Sequence, residues 1–476
     1  MSSTSAATQP RRTREARVTD QLDLVVRSDR VVLPDGTRPA AVAVRAGRIA
    51  AVLDRDAPVV AARDVSLPAD QALIPGVVDA HVHANEPGRT EWEGFASATA
   101  AAAAGGVTTF VDMPLNSIPP TVDPAALALK RDAARPVARM DVGFWGGAIP
   151  SVLGRLEELH DAGVFGFKAF LSPSGVDEFP HLTRAELGRA AREIAGFGGL
   201  LLVHAEDPDV LDAHQGPGGP AYADFVATRP PAAELDAIDQ VIRAVRETGV
   251  RAHILHLSTA RALDRIRDAR AEGLPLTVET CPHYLAFAAE GIPDGATAYK
   301  CCPPIRDAAN RDELWQGLLD GVIDLVASDH SPATVELKTS HGGDFGRAWG
   351  GISGLQLSLA ATWTAARGRG IPLDRVVGWM SAAPARLLGV DDRGAIRVGA
   401  RADLAALATE ETRVVDPARL LHRNPVSAFA GSELAGVVRT TWLAGEVIHT
   451  AGPAADGPAA AGPAAPDPRG RLLTRP

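Results

Sequence analysis

Ile74-Pro75-Gly76-Val77-Val78-Asp79-Ala80-His81-Val82-His83 decides how the rest of the chain is read. Residues 73–82 are apolar and β-branched enough for a strand buried on both faces, the kind found in parallel sheets. Side chains alternate along a strand, so His81 and His83 point the same way, roughly 6 to 7 Å apart at Cα. Pro87-Gly88 then breaks the pattern and puts both imidazoles at the carboxyl end of the strand. Two neutral imidazoles converging there make half of a metal site. Alone, His-x-His is a weak motif, so the remaining chain has to decide its meaning.

Seven more strand-like stretches follow, at 107–112, 141–145, 164–171, 200–204, 252–257, 276–280 and 323–329. Each is followed by helix-compatible sequence or a long loop, beginning with a helix across 93–104. Eight strands alternating with helices predict a (β/α)8 TIM-type barrel over 76–387. A doubly wound sheet would carry a Gly-rich phosphate turn after its first strand, and none is present. Short strands at 22–26, 41–44 and 49–52 are answered at the far end by 437–442 and 447–449. Neither half buries enough alone, so residues 22–75 and 388–450 are expected to share one small composite β-sandwich. Residues 1–21 and the Ala/Pro/Gly-rich 451–476 read as disordered tails. Arg11-Arg12 lacks the hydrophobic stretch of an export signal.

The 476 residues, 46% hydrophobic and 22% charged, are those of an ordinary globular chain. A net charge of −10 without a basic cluster argues against nucleic acid as a partner. The apolar runs fall short of the ~18 residues of a membrane span. Cys281, Cys301 and Cys302 form neither a disulfide framework nor a structural zinc spacing, which predicts a reducing, cytoplasmic setting.

In a barrel of this kind the reactive groups belong at the carboxyl ends of the strands. His81, His83, Lys168, His204, His256 and Asp329 all fall there, six metal-capable or convertible groups at one mouth. Lys168 is the most informative, because the chain has only four lysines (Lys130, Lys168, Lys300, Lys338) and this one lies in an apolar strand. An ammonium among Phe167, Phe170 and Val164 is costly unless paired, and it cannot bind metal. Two readings remain open at this point: a carbamate made with carbon dioxide that bridges two cations, or an ion pair with a nearby carboxylate. Asp329 reads either as a turn residue or as a ligand and general base. His253 lies on the opposite strand face from His256 and reads as packing or support, as His283 and His330 do beside the mouth. His160, His181, His214 and His422 sit in helical or loop sequence and read as bland.

The sequence resembles the cyclic amidohydrolases of the hydantoinase–dihydroorotase group, and within it the allantoinases. The likeness runs through Pro75-Gly76-Val77-Val78-Asp79-Ala80-His81-Val82-His83-Ala84-Asn85-Glu86-Pro87-Gly88-Arg89-Thr90, Asp112-Met113-Pro114-Leu115-Asn116-Ser117 and Phe144-Trp145-Gly146-Gly147. It continues through Gly166-Phe167-Lys168, His204-Ala205-Glu206-Asp207 and His256-Leu257-Ser258. Glu279-Thr280-Cys281-Pro282-His283-Tyr284, Cys301-Cys302-Pro303-Pro304-Ile305-Arg306 and Ser328-Asp329-His330-Ser331-Pro332 complete it, leaving only the tails outside. Ala169 and Ala333 depart from the family pattern, neither at a ligand position.

The resemblance implies a binuclear centre in which His81, His83 and Asp329 hold one divalent cation, His204 and His256 the other, with carboxylated Lys168 between them. Zinc is the first choice, with manganese, cobalt or iron as alternatives, and the assembly implied is a homotetramer. Asp329 would serve as base and then acid while a ring amide opens. Backbone groups at Cys302, Gly350 and Gly351 would grip the ring, with Asn85, Asn116 and Ser331 as further contacts and 333–351 as a lid. Dihydroorotases carry Arg at the position of Asn85, and hydantoinases a Tyr at that of Pro173. Both absences suit a neutral five-membered ureide, and the expected reaction is allantoin opening to allantoate. The alternatives are a hydantoinase acting on other cyclic ureides and a non-catalytic assembly relative, the latter disfavoured by the complete set of six groups.

Overall fold

The computed structural model describes residues 22–452 and 469–476. Half-buried apolar stretches at the N-terminal end form β1 (Leu22–Leu33), β2 (Gly36–Arg45), β3 (Arg48–Leu53), β4 (Ala61–Ser66) and β5 (Gln71–Pro75). A single residue, Gly76, separates β5 from β6 (Val77–Val82). A Cβ at Gly76 would lie 2.2 Å from Thr108 Oγ1, so only glycine lets the two strands meet this closely. Its N–H donates to the Asp403 carbonyl (2.8 Å), across to the far end of the chain. The stretch expected as one strand over 73–82 is therefore two, one in each sheet system.

β6 opens a ring continued by β7 (Val107–Asp112), β8 (Asp141–Phe144), β9 (Gly146–Gly147), β10 (Phe167–Phe170), β11 (Leu200–His204), β12 (Arg251–Ile254), β13 (Leu276–Thr280) and β14 (Leu325–Val326). All neighbouring pairs are parallel. β8 pairs with β7 and β9 with β10, so the two together fill one position around the ring. They break at Trp145, whose N–H turns back to the Asp112 carbonyl (2.9 Å) while its indole donates to Ala80 O (2.8 Å). Val82 bridges His330 in parallel, and His83 N donates to His330 O (2.8 Å), which closes the barrel. β6, β7, β8, β10 and β11 are buried at every residue, as strands between a packed interior and an outer helical layer must be.

The helices of that layer carry their own stop and start signals. α1 (Arg184–Gly196) begins with a capping box in which Glu186 N donates to Thr183 Oγ1 (3.3 Å) and Thr183 N to Glu186 Oε2 (2.9 Å). α2 (Pro231–Thr248) opens on proline and turns Ala237, Ile238, Val241 and Val245 inward at helical spacing.

The chain returns to the first sheet through β15 (Leu404–Val414), β16 (Glu433–Leu443) and β17 (Glu446–Thr450), giving the order β17-β16-β15-β5-β1-β2-β3 with β4 beside β1. Both chain ends thus build one eight-stranded sheet, curled so that Val26, Val42 and Ile49 share a core with Leu404, Ala406 and Trp442. Strand β15 was not part of the sequence reading, and it carries the contact to β5.

The C-terminal reading needs correction. Residues 1–21 and 453–468 lie outside the described residues, but 469–476 dock on the barrel. Val142 N donates to Arg471 O (2.9 Å), Leu473 N to Val142 O (2.8 Å) and Arg471 N to Asp141 Oδ1 (2.9 Å). Leu472 and Leu473 pack against the core, a driving force that the Ala/Pro/Gly bias of the preceding residues conceals. Among the described residues no helix is long and apolar enough to cross a membrane.

Candidate active site

The carboxyl ends of the strands bring the sequence-expected ligands together. His81 Nε2 lies 3.1 Å from Asp329 Oδ1 and 3.3 Å from Lys168 Nζ. His83 Nε2 is 3.7 Å from the same Asp329 oxygen, and His204 Nδ1 faces His256 Nε2 at 3.0 Å. The His81 ring centroid is 5.5 Å from that of His83 and 5.4 Å from that of His256. All six groups form one connected cluster. Their strands differ from expectation at two points, since β12 and β14 end before His256 and Asp329. Both residues sit at positive φ (33° and 41°), a backbone state costing about 1–3 kcal/mol that clusters at functional sites. These turns swing the two side chains over the mouth where a longer strand would carry them past it.

Buried carboxylates set the imidazoles. His81 Nδ1 donates to Glu279 Oε1 (2.5 Å), leaving the Nε2 lone pair for the cluster. The same oxygen accepts from His256 N (3.2 Å), and Glu279 Oε2 from His253 Nε2 (3.0 Å). Glu279 thereby holds one imidazole of the cluster and the turn that bears another. Burial by itself would raise its carboxyl, but the hydrogen bonds donated by His81 and His253 hold it well below the usual range. On the other side His204 Nε2 donates to Glu206 Oε2 (2.8 Å), and Arg229 Nε donates to Glu206 Oε1 (3.0 Å). Burial opposes ionisation there too, yet Arg229 and His204 keep Glu206 down at about 2. Neither carboxylate was singled out from the sequence. The signal was available, because each is an acid embedded in an apolar strand end, the argument that found Lys168. Replacing Glu279 with Gln is expected to weaken metal binding about 10- to 100-fold, read by titrating metal into the apoprotein.

Burial drives His83, His204 and His256 to the neutral form, the form that binds metal. It also pushes Lys168 down to about 8. Among the described residues His81 is the hydrogen-bond partner of the amine, which also lies 4.9 Å from the Phe170 ring centroid. Among the described residues no carboxylate lies within ion-pair distance of it, and the charges of Asp329 and Glu279 only partly offset its burial. Among the described residues Nδ1 of His83 and of His256 are buried without a hydrogen-bond partner. Neutral nitrogens aimed at one another, with Asp329 between them, are a donor set that suits a borderline divalent cation.

The cluster floors a cavity of about 630 Å³. Asn116, Cys302, Ser331, Gly350 and Gly351 line it, as expected from the sequence, together with Arg229 and Trp349. Asn85 does not. It is buried in a left-handed turn (φ 61°), its amide donating to Pro332 O (3.2 Å), so its residue type answers to backbone geometry. Ser331 Oγ donates to Asp329 Oδ1 (2.7 Å). Gly351 at φ 121° approaches Ser331 so closely that a Cβ would meet its carbonyl oxygen at 2.3 Å. Its N–H is committed to Lys300 O (2.8 Å), which removes it from the expected ring contacts. The stretch 333–351 contains the helix Val335–Thr339, and Trp349 packs edge-on to Trp92 with ring centroids 4.8 Å apart. In this structure it forms a wall of the cavity held by these contacts.

A family model described as the amidohydrolase family matches residues 72–448. The chain is similar to an allantoinase from Streptomyces avermitilis, 58% identical over 454 residues that cover 95% of this chain and 99% of that protein. It is also similar to an allantoinase from Arabidopsis thaliana, 42% identical over 448 residues, covering 90% of this chain and 88% of that one. Among solved structures an L-hydantoinase (dihydropyrimidinase) from Arthrobacter aurescens matches with a TM-score of 0.87 at 30% identity, covering 96% of this chain and 100% of that one. A match over that much of the sequence, on a barrel whose strands end in imidazoles, makes this chain a member of the amidohydrolase family.

Proposed function

We propose that the protein hydrolyses the cyclic amide bond of allantoin to give allantoate. The observation that carries the chemistry is the convergence of His83, His204, His256, Asp329 and a buried amine on the floor of one cavity, with His81 directly against Asp329 and that amine. The substrate is supported by the 58% identity to a protein named allantoinase over nearly the whole of both chains.

In this reading His81, His83 and Asp329 would hold one divalent cation and His204 and His256 the other. The Lys168 amine would hold the site's remaining ligand group as a carbamate, its N–C bond made by addition to carbon dioxide with loss of one proton. When bound, the pair of cations supplies an acidified water and polarises the ring carbonyl. The Asp329 carboxylate would take a proton from the water that adds to the ring carbonyl carbon and pass it to the ring nitrogen as the C–N bond breaks. Glu279 and Glu206 fix the tautomers of His81 and His204 throughout. Backbone groups of Gly350 and Cys302 hold the amide edge of the ring, with Asn116 and Ser331 beside it. Zinc as the metal, a homotetrameric assembly and a cytoplasmic location belong to the same proposal and follow the family resemblance.

A hydantoinase is the second reading, favoured by the likeness to the Arthrobacter aurescens L-hydantoinase. Pro173 stands against it, because a proline offers no hydroxyl to the ring carbonyl. A panel of allantoin, hydantoin, dihydrouracil and dihydroorotate, assayed with metal supplied, separates the two. The expected result is a kcat/KM for allantoin at least ~10-fold above the others. A preference for dihydrouracil or hydantoin overturns the substrate while leaving the fold and the family intact.

A further inference from the structure

All four lysines are buried, in a chain whose other positive side chains are arginines. Lys130 pairs with Asp112 (2.6 Å) and Lys168 belongs to the cluster, which leaves Lys300 and Lys338 without a function. Neither has a carboxylate partner among the described residues. Lys338 Nζ donates to the carbonyls of Lys300 (3.1 Å), Trp349 (2.9 Å) and Gly351 (2.7 Å). Lys300 Nζ donates to those of Gly346 (3.2 Å) and Ala348 (2.6 Å). Thr297 Oγ1 fixes the backbone of Lys338 through its carbonyl (2.5 Å). Three converging acceptors ask for three N–H groups on one atom, which a lysine ammonium has and a planar guanidinium cannot aim. Burial pushes Lys338 down to about 7, and only the ammonium form can fill all three acceptors at once.

These bonds tie down the carbonyls on either side of Gly350 and the one two residues before Cys302. Gly351 N is taken by Lys300 O, and Trp349 N by Leu337 O. Among the described residues the backbone N–H and C=O of Gly350 have no protein partner, and the same holds for Cys302. Both residues line the cavity, and a Cβ at Gly350 would lie 3.6 Å from Cys302 Sγ. Unpaired peptide groups at a cavity wall are the ones free to meet a ligand.

We propose that Lys338 and Lys300 are positioning residues that clamp 346–351 against 300–302 and so present the Gly350 and Cys302 peptide groups to the amide edge of the substrate ring. The inference rests on the cavity being the substrate site described above. Contacts that grip the ring equally in the ground and transition states contribute uniform binding, so their loss appears in KM.

The test uses full-length, metal-loaded Lys338→Met, Lys300→Met and Lys338→Arg variants beside the wild type. KM, kcat, metal per chain and thermal midpoint are read for each. KM for allantoin is expected to rise about 10- to 100-fold, with kcat within ~3-fold and metal content unchanged. The Lys338→Arg variant should fail to restore KM. An unchanged KM in metal-loaded variants overturns the clamp, as does a fall in kcat and metal at constant KM. If Lys338→Met does not fold, Lys300→Met decides, since it frees only Gly346 and Ala348. A wild type inert towards allantoin sinks the substrate reading instead, and the clamp is then read on whichever ring the panel identifies.

Discussion

Replacing Lys168 with alanine is expected to lower allantoin turnover by a factor of ~10³ or more and to leave fewer than two metal ions per chain. Polarisation by metal is worth several kcal/mol, and each 1.36 kcal/mol is tenfold in rate. Lys168 is buried within reach of His81 and, among the described residues, has no carboxylate at ion-pair distance. The loss should not come from unfolding. Removing a buried amine of this kind also removes its desolvation cost, and Lys168→Met, which keeps the side-chain bulk, should lose activity as fully without leaving a cavity. A short carboxylate such as propionate, supplied in excess, should restore part of the activity of Lys168→Ala. Rescue by an anion and none by an alkylamine would identify the missing group as negatively charged. Full activity in either variant would remove the basis of the proposed centre.

Asp329→Asn is expected to reduce kcat by about 10²- to 10⁴-fold with little change in KM, the usual weight of a positioned general base. Asparagine keeps the shape of the side chain and still accepts from Ser331 Oγ, which donates 2.7 Å to Oδ1. It also tolerates the positive φ of 41° at this position, so the turn should survive. Metal per chain separates the two roles assigned to the residue. Low kcat at full metal content speaks for proton transfer, whereas kcat restored by added metal speaks for ligation alone.

The barrel and most of the cluster were legible because they rest on local rules. Strand parity set His81 beside His83, and the cost of an ammonium among aromatics singled out Lys168. What the sequence concealed depends on distant partners. His256 and Asp329 reach the mouth through left-handed turns that no propensity predicts, and Asp329 is steered by Ser331. Asn85 resembled a substrate contact, but its identity answers to a positive φ and the Pro332 carbonyl. Gly351 lies at the cavity wall as expected, yet its N–H is spent on Lys300 O from another segment. Glu279 and Glu206 were within reach of the sequence, since a buried acid needs a partner as much as a buried amine does. At the C terminus a window average dominated by Ala, Gly and Pro hid Leu472 and Leu473, the two residues that give the end of the chain something to bury.

Carbon-13 NMR of protein loaded with metal in the presence of ¹³C-bicarbonate reads the centre directly. The expected spectrum holds one carbamate carbon per chain, present with two bound cations and absent from Lys168→Ala. A protein that carries its metal and opens allantoin at full rate, yet shows no carbamate carbon, would contradict the account.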